Sequence, residues 1–190
     1  MRSHFIWQLL PQLVAVCTGF LLDTDSVRIF SDLEGRLSEQ TTTMFGYSVS
    51  FLNDTLLVGA PKVNASRFDD IIEPGGVYSC SLSDSGSADG CSLLQIDDSP
   101  NNIATIDFDF DPIENKTRQW LGATLSTEPN SGFVLTCAPR YIYKSKKGNK
   151  VEPTGKCYYG SILKTGSQFT EVSPCKDEYK LSTRSTFCTH

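Results

Sequence analysis

Apolar positions in this chain come in short runs, several of them alternating with polar residues, and each run is closed by Gly, Pro, Asn, Asp or Ser. The clearest lie at residues 45–51, 55–58, 76–80, 132–137 and 157–163. Alternation has the two-residue period of a strand, while the spacing that gives a helix one apolar face is scarce. The pattern therefore predicts an all-β chain.

Two stretches repeat one another. Phe45-Gly46-Tyr47-Ser48-Val49, a turn at Asn53-Asp54 and Leu56-Leu57-Val58-Gly59-Ala60-Pro61 are echoed further along the chain. The echo reads Leu121-Gly122-Ala123-Thr124-Leu125, a turn around Pro129-Asn130-Ser131-Gly132, then Phe133-Val134-Leu135-Thr136-Cys137-Ala138-Pro139. Each unit is strand, tight turn, strand and a small-residue stop. The glycine at the start is expected to let a strand begin close to a neighbouring backbone, and the proline, which lacks an N–H, closes the second strand. Gly75-Gly76-Val77-Tyr78-Ser79-Cys80 adds another strand after the first unit. A repeated antiparallel meander of this kind is the sheet of a β-propeller blade.

Composition places the chain in the secretory pathway. Residues 1–19 read as a signal peptide: Arg2 is a positive start, residues 5–16 are largely apolar, and Cys17-Thr18-Gly19 offers small residues for cleavage before Phe20. The apolar run is shorter than the roughly 20 residues that span a bilayer, Pro11 interrupts it, and no later segment qualifies as a membrane span. Of the seven cysteines, Cys17 lies in the leader, leaving Cys80, Cys91, Cys137, Cys157, Cys175 and Cys188, an even set suited to disulfides. Three acceptor triplets, at Asn53, Asn64 and Asn115, predict N-linked sugars on exposed turns or loops. The formal charge of −5 becomes −6 once Arg2 is removed, which argues against nucleic acid as a partner.

The two histidines are His4 in the leader and His190 at the last position, so the usual general base is missing and no catalytic site is expected. With no Cys-x-x-Cys pair, zinc is not expected either. Asp107-Phe108-Asp109-Phe110-Asp111 sets carboxylates on alternate positions, which suits calcium, but Pro112 stands where a calcium loop needs glycine. A solvated acidic connection is the preferred reading, and no metal site is expected. The basic stretch at residues 144–150 reads as an exposed hairpin loop rather than a polyanion site. Tyr141, Tyr143, Tyr158 and Tyr159 fit a recognition surface, but alternation assigns at least half of them to packing within the blade.

The ordered set of motifs resembles integrin α subunits. Phe45-Gly46 through Gly59-Ala60-Pro61 is similar to the FG-GAP repeat of that family, and Phe20-Leu21-Leu22-Asp23-Thr24 is similar to the start of its mature chains. Trp120-Leu121-Gly122-Ala123, Cys137-Ala138-Pro139-Arg140-Tyr141 and Gly155-Lys156-Cys157-Tyr158 follow in the family's order, so that the likeness runs from Phe20 to about Cys188. It implies that residues 20–190 are the N-terminal part of a seven-bladed propeller, namely the first blade and most of the second, with repeats near 45–61 and 121–139. Pairing between sequence neighbours is the simplest arrangement of the cysteines, and the resemblance implies the same: Cys80 with Cys91, Cys137 with Cys157, Cys175 with Cys188.

The resemblance also implies a function, that of a cell-adhesion receptor subunit, not an enzyme, which pairs with an integrin β subunit and binds an extracellular-matrix or cell-surface protein. In the family the last disulfide closes a loop beside the β subunit's ligand-binding domain that influences ligand choice, here carrying Asp177, Glu178, Tyr179, Lys180, Thr183, Arg184 and Phe187. Members that bind Arg-Gly-Asp place an acidic residue in the latter half of this loop, where Arg184 has the wrong sign for such a pairing. No cofactor is expected in this stretch, since the family's calcium loops belong to later blades. Two alternatives stand beside this reading. One is a truncated secreted binding protein or decoy. The other is the accessory propeller of a secreted enzyme, which would need a metal-binding catalytic domain.

Overall fold

The computed structural model describes residues 28–31, 43–83, 90–106, 109–144, 151–163 and 168–176. Two four-stranded antiparallel sheets organise them. The first runs β1 (Ser48–Leu52), β2 (Thr55–Ala60), β3 (Gly76–Ser81), β4 (Cys91–Leu93) in simple meander order. The second has the order β13, β12, β9, β8 and is built from β8 (Thr124–Glu128), β9 (Phe133–Ala138), β12 (Lys156–Ser161) and β13 (Thr170–Val172). Between them in sequence come a hairpin of β5 (Ile103–Ile106) and β6 (Asp109–Pro112), and the short β7 (Glu114–Asn115). β7 joins β10 (Ile142–Lys144) and β11 (Val151–Pro153) in a three-stranded sheet.

The repeat seen in the sequence is also a repeat of backbone geometry. Met44 and Trp120 occupy corresponding positions and both adopt positive φ, 58° and 65°, followed two residues on by Gly46 at 90° and Gly122 at 87°. The Tyr47 N–H donates to the Met44 carbonyl and the Ala123 N–H to that of Trp120, both at 3.1 Å. At the far end of each unit Lys62 N–H reaches Thr43 O and Arg140 N–H reaches Gln119 O, both at 3.0 Å. Hence the motif encodes a tight entry turn into the inner strand and a return of the chain beside it.

The expected close approach of the starting glycine holds at Gly122 and needs correction at Gly46. A Cβ at Gly46 would meet nothing within 4 Å, so what Gly46 supplies is its left-handed φ, not close approach. Close approach occurs at Gly59, where a Cβ would lie 2.0 Å from the Gly122 carbonyl oxygen, and at Gly122, where it would lie 2.2 Å from Gly76 O. These contacts are where the two sheets touch, and an isolated bridge from Gly75 to Leu121 joins them there.

Leu52, Leu57 and Val77 of the first sheet are buried against Val134 of the second, with Leu125, Ile162 and Phe169 completing this core. Polar ties reinforce the contact: Ser48 Oγ donates to Gly122 O at 2.7 Å, and Thr127 Oγ1 donates to Phe51 O at 2.7 Å. Because alternate residues point to opposite faces, burying Leu52 turns Val49 and Phe51 away from the second sheet, and they are 56% and 62% exposed. Burying Val134 likewise turns Phe133, Leu135 and Tyr159 to the outer face of the second sheet. Both outer faces therefore show apolar side chains to solvent.

Disulfides tie the strands of each sheet. Cys80–Cys91 links β3 to β4, and Cys137–Cys157 links β9 to β12, each between residues directly opposite in the ladder. Cys175 is also disulfide-bonded, while Cys188 lies outside the described residues.

Candidate functional site: one rim of the blade pair

A single ladder row defines the rim. Thr124 lies opposite Cys137, Cys137 opposite Cys157, and Cys157 opposite Val172, so the start of β8, the end of β9, the start of β12 and the end of β13 share one end of the sheet. Trp120 enters β8 there, Arg140 leaves β9 there, and Cys175 follows β13 there. From the first sheet, Tyr47 arrives at the same place: its ring stands edge-on to Trp120, with centroids 6.0 Å apart. The Arg140 guanidinium lies 5.1 Å from the Trp120 ring centroid. Tyr47 and Arg140 are exposed and Trp120 is half-buried, which leaves an aromatic and cationic stack open to solvent. Trp, Tyr and Arg are the side chains that most often carry binding energy in protein interfaces.

Beneath this rim lies a buried ionic cluster. Lys156 is the first residue of β12, Glu114 sits on β7, and both side chains are fully inaccessible. Lys156 Nζ is 3.4 Å from Glu114 Oε2 and 3.1 Å from Glu171 Oε2 on β13. Lys176, immediately after Cys175, donates to Glu171 Oε1 at 2.8 Å and stands 3.5 Å from Glu114 Oε2. On the other side Lys116 Nζ lies 2.9 Å from Asp97 Oδ2 and 3.8 Å from Glu114 Oε1. Three ammonium groups thus meet three carboxylates: Glu114 and Asp97 are withdrawn from solvent, while Glu171 closes the cluster from its partly exposed edge.

Tyrosines fill the remaining valences. Tyr141 donates its hydroxyl to Glu114, and Tyr158 donates to Asp97 Oδ2 at 2.6 Å. Burial pushes the Glu114 carboxyl up, but the Lys156 charge and the Tyr141 hydroxyl outweigh it and hold the group below the usual carboxylate range. Asp97 behaves in the same way, with Ser99, Tyr158 and Lys116 overcoming burial. For Lys156 burial is the larger influence and lowers its ammonium, despite Glu114 and Glu171. Lys176 ends up raised, because Glu171 and Glu114 overcome burial. Burial raises both the Tyr141 and Tyr158 hydroxyls, and their carboxylate partners raise them further. The cluster anchors the base of the Cys175 loop, where Ser173 Oγ also donates to Gly155 O at 2.8 Å.

Residues 177–187, which carry all the loop positions named above, lie outside the described residues, and only the loop's base at Cys175 and Lys176 is placed. Asn53 forms the tip of the β1–β2 hairpin with φ 51°. Asn64 is exposed and its Oδ1 accepts the Glu73 N–H, while Asn115 is exposed but lies on strand β7, paired with Ile142, not on the turn or loop expected for it. Asp109 and Asp111 belong to a regular hairpin strand, and Asp107 lies outside the described residues. Among the described residues no three His, Cys, Asp or Glu side chains are grouped to hold a metal ion, and no helix is long and apolar enough to cross a membrane. β10 and β11 pair as the two arms around residues 145–150. Tyr141, Tyr143 and Tyr158 are buried and only Tyr159 is exposed.

Missed in the sequence were Tyr47, Trp120 and Arg140 as one stack and Glu114, Lys116, Lys156 and Lys176 as buried charges. One signal was available: Glu114 and Lys116 are two apart in a region of strands, so they share a face.

Consecutive four-stranded meanders, packed face to face and each clasped by a disulfide, are blades of a β-propeller, and the disulfides fit the secretory pathway. The chain is 34% identical to integrin alpha-PS2 of Drosophila melanogaster over 74% of its length, and 35% identical to integrin alpha-8 of Mus musculus over 85%. It is 30% identical to integrin alpha-5 of Xenopus laevis over 95%. No family model matches it. The chain belongs to the integrin α-subunit family, a family of cell-adhesion receptor subunits. It spans 10%, 14% and 17% of the length of these three relatives.

Proposed function

We propose that this chain contributes the opening blades of a receptor head, and that its rim meets an integrin β subunit in a non-covalent heterodimer that binds a matrix or cell-surface protein. The observation that carries the reading is the open stack of Tyr47, Trp120 and Arg140 beside the base of the Cys175 loop. An exposed aromatic pair with a cation on one ring, fixed by two rigid sheets, is a preorganised anchor for a protein partner. The loop of residues 177–187, tethered by Lys176, would stand next to that partner and touch the ligand. Arg184 favours a ligand other than one that presents arginine there.

The role is binding, not catalysis, and no cofactor is required in this stretch, calcium belonging to later blades. The apolar outer faces at Val49 and Phe51 and at Phe133 and Leu135 suit further blades on both sides. The disulfides fit passage through the secretory pathway to the extracellular side of the plasma membrane. The test is co-secretion of the chain with a tagged β-subunit ectodomain. Recovery of the chain on the tag supports the reading, and its absence from every β subunit tried would overturn it.

A further inference from the structure

Asn115 stands in a groove of about 530 Å³, within the size range of sites that hold small organic molecules. Pro112, Ile142 and Val151 give it apolar lining, while Asp70, Asn101 and Lys144 supply polar groups. Asn115 Oδ1 accepts the Thr117 N–H at 2.8 Å, which fixes the carboxamide and commits its oxygen. The Thr117 hydroxyl donates to Asp70 O and accepts the Ile72 N–H, both at 3.1 Å, so the acceptor triplet is pinned to a segment of the first blade.

We infer that Asn115 carries an N-linked glycan whose first sugar is seated in this groove, so that the modification acts as a packed part of the junction between the first blade and the β7–β10–β11 sheet. This rests on the secretory reading given above. In the transfer, Asn115 Nδ2 bonds to C1 of an oligosaccharide carried on a polyprenyl diphosphate. The C1–O bond to the diphosphate breaks, and the lipid diphosphate leaves with the proton that Nδ2 loses. An N-acetylhexosamine has an apolar ring face and an N-acetyl methyl for Ile142 and Val151, and hydroxyls for Asp70 and Asn101. The other two triplets differ: Asn53 is at a hairpin tip and Asn64 is held to Glu73, and neither lines this groove. Because the Thr117 hydroxyl is engaged 45 and 47 residues away in the folded chain, the triplet is presented to the transferase before the junction closes.

The test is site-resolved mass spectrometry on the full chain secreted from eukaryotic cells, before and after digestion under native conditions with an endoglycosidase that cuts beyond the first sugar. The expected result is an occupied Asn115 whose sugar is released roughly tenfold more slowly than that at Asn53 or Asn64, a decade being the effect of a seat of about 1.4 kcal/mol. Val151→Ser, at an exposed position, keeps the triplet and is expected to abolish that protection. An unmodified Asn115 in a chain glycosylated at Asn53 or Asn64 would overturn the inference and leave the secretory reading standing. So would equal release at Asn115, or protection unchanged in Val151→Ser. Absence of sugar at all three would remove both.

Discussion

The ammonium of Lys156 lies 4.0 Å from the ring centroid of Tyr141, and both residues are almost wholly withdrawn from solvent. The same ammonium faces Glu114 and Glu171, so a cation on the first residue of β12 is held between an aromatic face and two carboxylates. Lys156→Ala leaves Glu114 buried with less counter-charge and is expected to cost roughly 3–5 kcal/mol, the usual penalty for breaking a buried pair from one side. Urea denaturation of the secreted chain measures it. The double variant Lys156→Met with Glu114→Gln should recover much of the loss, and a double variant as unstable as the single one would mean that the charges do not act as a pair.

Acid should loosen the rim. Glu114 and Asp97 are held below the ordinary carboxylate range when folded, so they add stability that is complete above that range. It drains away as the pH falls through their folded values. Glu171, held low against burial by Lys176 and Lys156, adds to this, so thermal midpoints measured from neutral pH downward should decline, with a shallower decline in Glu114→Gln, which has already lost one of the three groups.

The Cys137–Cys157 bridge closes a loop with a sequence separation of 20. Replacing both cysteines by serine should cost about 3 kcal/mol in the chain-entropy account. Calorimetry under oxidising conditions compares the variant with the parent, and an unchanged melting temperature would mean that the rim is held by the ionic cluster alone.

The bare outer faces predict self-association. Phe51→Ser and Leu135→Ser each remove an exposed apolar side chain from opposite ends of the blade pair. Light scattering of the secreted chain should show less aggregation in each variant and least in the double one.

The architecture was legible where one local rule sufficed. The alternation at Phe133 to Cys137 and the paired Gly-Ala-Pro and Cys-Ala-Pro stops announced strands whose repeat the backbone confirms, down to positive φ at Met44 and Trp120. The rim was much less legible. Lys156 looks like a solvated charge in sequence, because its partners Glu114 and Glu171 are far from it along the chain and meet it only through the pairing of β7 with β10 and of β12 with β13. Gly46 and Gly122 look alike, yet one serves a turn angle alone and the other also a contact between sheets. Trp120 read as part of a repeat, and only packing sets it between Tyr47 and Arg140.

The rim's role as the partner surface is tested most directly by capture on a β-subunit ectodomain of the parent chain, Trp120→Ala and Tyr159→Ala, the last altering an exposed aromatic on the outer face of the second sheet. The account predicts that Trp120→Ala loses at least roughly tenfold in affinity, the scale of a hot-spot residue, while Tyr159→Ala binds like the parent. Equal capture of Trp120→Ala and the parent, with loss confined to Tyr159→Ala, would contradict it.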